Sequence, residues 1–142
     1  MTRIVDTSVV VKWVVAEEDS ALALRLIGGD IVAPDLLKAE LANALWKKVR
    51  RDQIGAVQAA AAFEEVLAIL PFAPSADLAR RALEIGLEAG HPIYDCHFLA
   101  LAEMIGATVI TADERLVARC AGTRYATLLE PLGALSQENA DD

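Results

Sequence analysis

Four carboxylic acids occupy positions in the sequence that solvation alone does not explain. Asp6 ends the short β-branched run RIVD, and Asp113 follows a second buried-strand pattern, ATVIT. Asp95 lies near the start of an apolar helical stretch, and Glu40 borders the apolar face of another helix. Ligands of open parallel sheets collect beyond the carboxyl ends of the strands, where the strand order reverses. We therefore expect the four acids to meet in one pocket.

Electrostatic repulsion limits what such a pocket can contain. Two unit charges about 5 Å apart repel by roughly 3 kcal/mol at an effective dielectric of 20, and four acids form several such pairs. Because the total is comparable to the stability of a whole domain, the acids must be partly protonated or bind hard divalent cations. Oxygen ligands favour Mg²⁺ or Mn²⁺. One or two such ions would suit phosphodiester hydrolysis, in which metal-activated water attacks in line.

Simpler interpretations exist for individual acids. Asp95 could serve only its own helix, since a helix N-terminus favours negative charge, and Glu40 could be an ordinary boundary glutamate. A second enzymatic alternative is a phosphohydrolase with Asp6 as its covalent nucleophile, although DTSVV lacks a second Asp two positions on. A third alternative is a non-catalytic, metal-binding partner module. Measured turnover on a phosphodiester substrate would separate these classes.

The hydroxyl residues beside Asp6 suggest support of the acid rather than nucleophilic catalysis. Thr7 and Ser8 follow Asp6 directly, but no neighbouring histidine would activate a serine. Ser8 is therefore interpreted as a helix cap or as a hydrogen-bonding partner of the acidic site. His91 and His97 are interpreted as helix-end or surface residues.

Basic side chains follow two of the acids. They extend the helix after Glu40 and lie just beyond Asp113, at Lys47, Lys48, Arg50, Arg51, Arg115 and Arg119. Such groups could hold phosphates near the metals. For KKVRR the alternative is a solvated helix end, where the helix dipole favours cations.

Composition indicates one domain with a large core. The chain has 142 residues, 55% of them apolar, yet the longest stretches without charge are far shorter than the roughly 20 residues of a membrane span. Asp6 and Lys12 interrupt any secretory signal, so we expect a cytoplasmic protein with no membrane association. Cys96 and Cys120 are isolated, which favours small core residues over a disulfide, or over zinc ligands together with the two histidines.

The high apolar fraction and the net charge of the chain indicate which kinds of partner it could bind. Trp13, Val14 and Val15 would suit a dimer or partner groove or an ordinary core, and Trp46 and Tyr94 are interpreted as packing residues. A net charge of −8 is unpromising for nucleic-acid binding. Three of the acids belong to the C-terminal tail, however, and bound divalent cations would offset others, so net charge is a poor guide here.

Helical and extended patterns alternate along the chain, which predicts a helix-rich α/β fold with a parallel sheet covered on both faces. Strands are expected at 3–6, 31–34 and 107–111, with a last edge strand at 124–129. Helices are expected from near 8, from 19 to a stop at Gly28 and Gly29, and at 34–51, 55–69, 75–89, 92–105 and 112–120. Residues 1–135 are predicted to form a single domain, and 136–142 a flexible acidic tail.

Four motifs together resemble one family. IVDTSVVVKW, APDLLKAELANAL, HPIYDCHFLALAE and ATVITADERL follow the order and approximate spacing of PIN-domain ribonucleases, most closely the VapC toxins of bacterial VapBC toxin-antitoxin pairs. The resemblance spans about residues 3–132. It implies a PIN-like α/β/α sandwich, an endoribonuclease that depends on Mg²⁺ or Mn²⁺, a homodimer, and inhibition by a small VapB-like antitoxin.

The resemblance also assigns residues. The family's acids match Asp6, Glu40, Asp95 and Asp113, the supporting hydroxyl positions match Ser8 and Thr111, and Asn43 also fits the pattern. The family suggests that an antitoxin segment covers the acidic cavity with a positively charged side chain. An RNA-processing PIN nuclease without an antitoxin would show the same residues, and neither alternative identifies the RNA that is cut.

Overall fold

Five short strands form one parallel sheet in the computed structural model, which describes residues 1–138. In chain order the strands are β1 (Arg3–Val5), β2 (Ile31–Pro34), β3 (Phe72–Ala73), β4 (Thr108–Thr111) and β5 (Leu129–Pro131). Their order across the sheet is β3-β2-β1-β4-β5, and every neighbouring pair is parallel. The strand order therefore reverses between β1 and β4, where a ligand crevice is expected in a parallel sheet.

Helices cover both faces of the sheet. They are α1 (Thr7–Val14), α2 (Ser20–Leu24), α3 (Leu36–Arg50), α4 (Ala56–Ile69), α5 (Ala79–Ala89), α6 (Ile93–Ile105), α7 (Glu114–Cys120) and α8 (Leu135–Glu138). The first four pack on one another, as do α5 and α6. Because crossovers between parallel strands are right-handed, the two groups lie on opposite faces. The predicted α/β fold with a central parallel sheet flanked by helices is confirmed.

Burial explains the apolar sequence of the central elements. Ile4 and Val5 of β1 and Val109 and Ile110 of β4 are fully buried, as expected for strands covered on both faces. In α6 five consecutive residues, 98–102, are also buried. Consecutive positions point in different directions around a helix, so α6 is enclosed nearly all round. This enclosure accounts for the long apolar run in HPIYDCHFLALAE.

Local structure differs from the sequence-based expectation in four places. The edge strand predicted at 124–129 is wrong for most of that range, because 126–128 form a 3₁₀ turn and the strand follows at Leu129–Pro131. The two-residue strand β3 was not predicted. The α2 helix ends at Leu24, before the two glycines, and Pro34 ends β2 instead of opening a helix. Proline is tolerated there because β2 ends at that point.

Three further predictions concern the C-terminus, the cysteines and membrane-spanning helices. The short helix α8 includes the first residues of the predicted tail, whereas residues 139–142 lie outside the described part of the chain. Cys96 and Cys120 are buried and unpaired, as predicted. Within residues 1–138, no helix combines the length and apolarity needed to cross a bilayer.

Candidate active site

Asp6 lies at the reversal of strand order and joins the ends of β1 and β4. Its backbone N–H donates to the Ile110 carbonyl at 3.3 Å, and its side chain caps α1 by accepting from the Val9 N–H at 3.2 Å. The Ser8 hydroxyl donates to Oδ1 and the Thr111 hydroxyl donates to Oδ2. Both carboxylate oxygens are therefore held by the protein, and only 7% of the residue is exposed.

Burial dominates the protonation of Asp6. Loss of hydration raises its pKa from 3.8 to about 6, although the hydrogen bonds from Ser8, Thr111 and Val9 oppose the rise. The charge of Asp95 raises the pKa further. Asp6 is therefore a carboxylate that lacks full compensation for its charge at neutral pH.

Glu40 and Asp95 bring acids from opposite helical layers toward Asp6. Burial raises the pKa of Glu40 from 4.5 to about 7, and the charges of Asp95 and then Asp6 add to the rise. The Thr7 hydroxyl donates to Glu40 Oε1 at 3.2 Å and acts in the opposite direction. Helices α3 and α6 thus place their acids close enough to the end of β1 to interact electrostatically.

Asp95 lies in the first turn of α6, where the helix dipole favours negative charge. The N-cap of α6 is Pro92, which provides no side-chain cap hydrogen bond. Asp95 Oδ2 instead lies 2.7 Å from Nε2 of His91. The interpretation of Asp95 as a simple helix cap therefore does not describe its main contact.

Asp113 lies to one side of the other three acids. It caps α7, with Oδ1 accepting from the N–H groups of Arg115 at 2.9 Å and Leu116 at 3.3 Å. Its own N–H donates to the Thr111 hydroxyl at 3.0 Å, and the same hydroxyl donates to Asp6. Asp113 is therefore linked to Asp6 through one shared side chain.

Two cavities flank this arrangement. One, of about 430 Å³, is lined by Asp113, Thr111 and Lys12 among others. The other, of about 380 Å³, is lined by Glu40 and Asn43 together with Thr7, Tyr94 and two residues of α3. Glu40 and Asp113 thus border different cavities, and a pocket shared by all four acids stays a prediction.

Oxygen donors make this centre suitable for a hard divalent cation. Within residues 1–138, no three His, Cys, Asp or Glu side chains lie close enough together to hold one ion directly. Mg²⁺ usually keeps several waters and binds through only one or two carboxylates. The charge of Asp95 raises the pKa of both Asp6 and Glu40 without direct contact, which suits a hydrated ion. Among residues 1–138, no Cys and His set that would favour zinc is present.

The residues predicted to support the acids differ in their contacts. Ser8 and Thr111 contact Asp6. Of the two roles predicted for Ser8, the structure shows the hydrogen bond to the acidic site, whereas Asp6 itself caps α1. Lys48 pairs with Glu17 at 3.1 Å. The side chains of Lys47, Arg115 and Arg119 are exposed.

Sequence reasoning missed two contacts with the acids. Thr7 donates to Glu40 and His91 contacts Asp95. The four-residue spacing of His91 and Asp95 was a usable signal, since side chains four apart meet at a helical turn. The contact between Thr7 and Glu40 depends on how α1 packs on α3, for which the local sequence contains no signal.

Two aromatic residues are more exposed than predicted. Trp46 is 56% exposed and Tyr94 is 65% exposed, so the prediction that both are packing residues is wrong. Trp46 borders an apolar groove between α3 and α4 that also includes Leu45, Val49 and Phe63. Trp13 packs on the core and donates to the Ala23 carbonyl at 2.7 Å.

Comparisons with known proteins agree with this architecture. The family model of the PIN domain matches residues 3–122. Ribonuclease VapC3 of Pyrobaculum aerophilum is 32% identical over 121 residues, which cover 82% of this chain and 92% of that protein. The crystal structure of PAE2754 from the same organism superposes with a TM-score of 0.72 at 24% identity, covering 100% of this chain and 91% of the other.

A toxin-antitoxin structure is also similar. VapBC-5 from Mycobacterium tuberculosis, described as a member of the VapBC family of toxin-antitoxin systems, gives a TM-score of 0.58 at 25% identity. The match covers 92% of this chain and 96% of that chain. The similarity therefore extends over almost the whole chain in both.

Proposed function

The chain belongs to the PIN-domain family, and we propose that it is a Mg²⁺- or Mn²⁺-dependent endoribonuclease acting as the toxin of a toxin-antitoxin pair. The observation that carries this proposal is the cluster of Asp6, Glu40 and Asp95, whose mutual repulsion helps to raise the pKa values of the first two. A relative named as a VapC ribonuclease supports the choice of RNA as substrate.

The acids have distinct roles in this proposal. Asp6, Glu40 and Asp95 hold one or two divalent cations, and Asp113 completes the acidic centre from the far side of Thr111. Bound cations of this kind lower the pKa of water and stabilise charge on the departing oxygen. Ser8 and Thr111 fix the orientation of the Asp6 carboxylate, because each donates to a different oxygen.

The geometry disfavours Asp6 as a covalent nucleophile. An attacking carboxylate oxygen needs an open path to the phosphorus atom, whereas both oxygens of Asp6 accept hydrogen bonds and the residue is 7% exposed. Protein groups that hold both oxygens suit a fixed ligand better than a nucleophile.

Phosphate contacts are proposed for Lys47, Lys48, Arg115 and Arg119. Arg115 and Arg119 lie on α7 directly after Asp113, and Lys47 lies seven residues beyond Glu40 on α3. RNA that crosses the acidic centre from α3 to α7 would meet cations on both sides. Lys48 would have to exchange its pairing with Glu17 for a phosphate.

Cleavage of RNA by the purified chain tests the activity. We expect cleavage with Mg²⁺ or Mn²⁺, none with EDTA, and loss to background in Asp6→Asn and Asp95→Asn. Asp30→Asn is the matched control, because Asp30 is an exposed acid at the opposite end of the sheet. Cleavage that survives EDTA and both active-site substitutions would contradict the proposal.

An antitoxin and a second copy of the chain are the proposed protein partners. Similarity to a VapBC structure supports an antitoxin, and the exposed Trp46 beside an apolar groove supports a surface that a partner covers.

Expression of the chain should arrest growth, and co-expression of a cognate antitoxin should restore growth. Trp46→Ala should weaken the rescue and leave RNA cleavage unchanged. RNA cleavage without growth arrest would favour an RNA-processing nuclease. So would RNA cleavage that no product of a neighbouring gene inhibits.

A further inference from the structure

We propose that His91 is a positioning residue that fixes one oxygen of Asp95 and thereby sets the affinity of the acidic centre for divalent metal. This inference rests on the proposed function, since it concerns an acid assigned there to metal binding. It extends that function to a residue that directly contacts neither the metal nor RNA.

The turn between α5 and α6 holds the backbone of His91 in place. The Gly86 carbonyl accepts from the N–H groups of both Gly90 and His91, at 2.8 and 3.3 Å. Gly90 has a positive φ of 67°, a conformation that glycine adopts easily. A Cβ atom on Gly86 would lie 3.0 Å from the His91 carbonyl oxygen and 2.3 Å from Cδ1 of Ile93. The start of α6 therefore packs directly on Gly86, and His91 has little freedom to move.

The imidazole is as restricted as its backbone. Only 7% of the His91 side chain is exposed, whereas 33% of the Asp95 side chain is. Nε2 of His91 lies 2.7 Å from Oδ2 of Asp95, and among the described residues Oδ1 has no hydrogen-bond partner. One carboxylate oxygen is thus held from the buried side, which leaves the other for a ligand.

The neighbouring acids are held in a similar way. Asp6 accepts from Ser8 and Thr111, and Glu40 accepts from Thr7 through Oε1 alone. In metal sites, outer groups of this kind orient the carboxylates that bind the ion, and their removal weakens metal binding by about 10- to 100-fold. The contact between His91 and Asp95 gives the third acid the support that hydroxyl groups give to the other two.

A purely structural pair is the competing explanation. A contact between residues four apart can stabilise the first turn of α6 by itself. Loss of such a contact would lower the melting temperature equally with and without metal. Loss of a positioning contact would reduce the increase in melting temperature that Mn²⁺ produces, because only the folded state binds the ion.

Calorimetric titration of the full chain with Mn²⁺ alone tests the proposal. We expect binding by the wild type, its loss in Asp95→Asn, and roughly 10- to 100-fold weaker binding in His91→Ala. His91→Gln should restore most of the affinity, because its amide N–H can reach the same oxygen. His97→Ala is the matched control, since His97 lies two residues beyond Asp95 on α6 and, within the described part of the chain, bonds only to the Ile93 carbonyl.

Each outcome separates the inference from the function on which it rests. Wild-type affinity in His91→Ala, together with lost binding in Asp95→Asn, would refute the role of His91 and leave the acidic centre standing. Absence of Mn²⁺ binding in the wild type would remove both. If His91→Ala does not fold, the decision rests on His91→Gln and His91→Asn. The shorter Asn side chain should then show a smaller Mn²⁺-induced rise in melting temperature than Gln, and equal rises would contradict positioning.

Discussion

Thr111 and Asp6 join the ends of two adjacent parallel strands through a hydrogen bond from the threonine hydroxyl to carboxylate Oδ2. The same hydroxyl accepts from the N–H of Asp113 at 3.0 Å. One side chain therefore aligns the acid that follows β1 with the acid that follows β4. Thr111 is 1% exposed, so no water can readily replace its hydroxyl.

Thr111→Val should destabilise the protein and raise the pKa of Asp6 above about 6, because the ionised carboxylate loses a donor. We expect a decrease of about 1–3 kcal/mol in the free energy of unfolding at pH 8, with a smaller decrease at pH 5, where Asp6 is protonated. Chemical denaturation and NMR titration would measure the two effects. Thr108→Val is the control, since Thr108 lies at the other end of β4 and donates to Glu130 at 3.1 Å. Equal effects of both substitutions would contradict a specific role of Thr111.

Metal-free protein should lose stability as pH rises through the titration of its buried acids. Burial raises the pKa of Asp6 from 3.8 to about 6, so the folded state retains a proton that the unfolded state has released. The contribution of Asp6 to stability is complete below pH 3.8 and is lost as pH rises through about 6.

Comparing the stability of the wild type with that of Asp6→Asn isolates this contribution. The pH dependence that comes from the other ionisable groups is largely the same in both proteins and cancels in the difference. In EDTA, the variant should gain on the order of 3 kcal/mol relative to wild type between pH 4 and pH 8. Denaturation at several pH values would measure the gain. A constant difference between the two proteins across this range would show that Asp6 titrates normally.

Sequence rules located Asp6 and Asp113 because the ends of parallel strands share one edge of the sheet. The same rules did not predict β3, whose two paired residues, Phe72 and Ala73, are too few to show any periodicity. They also failed for Trp46, because apolar character indicates a preference for burial but not whether another element covers the side chain. The catalytic roles of the four acids stay predictions, whereas their placement near the strand ends is a property of the fold.

Tyr125 explains why the last strand begins at Leu129 and not at the predicted residue 124. The residue is 1% exposed, and its hydroxyl donates to Glu88 and accepts from Arg124 at 3.0 Å and from Arg81 at 3.3 Å. A side chain anchored to α5 in this way fixes a turn before β5.

Tyr125→Phe should reduce the free energy of unfolding by about 1 kcal/mol, because the ring remains packed while the hydroxyl contacts are lost. RNA cleavage should be unchanged, since none of these contacts involves the four acids. Denaturation curves would measure the stability change. Tyr94→Phe is the control, because Tyr94 is 65% exposed, and its stability should match wild type. A loss of cleavage in Tyr125→Phe without a loss of stability would contradict a purely structural role.

Gly86→Ala should destabilise the protein, although alanine favours helices over glycine by up to about 1 kcal/mol. Gly86 lies within α5, and an added Cβ would approach Cδ1 of Ile93 to 2.3 Å and the His91 carbonyl oxygen to 3.0 Å. The Ile93 side chain can rotate away, but the carbonyl belongs to the turn that leads into α6. We therefore expect a net loss of about 1–3 kcal/mol in chemical denaturation. Gly133→Ala is the control, since an added Cβ there meets nothing within 4 Å. A more stable Gly86→Ala protein would mean that α5 and α6 can separate without cost, and that the turn before Asp95 is not rigid.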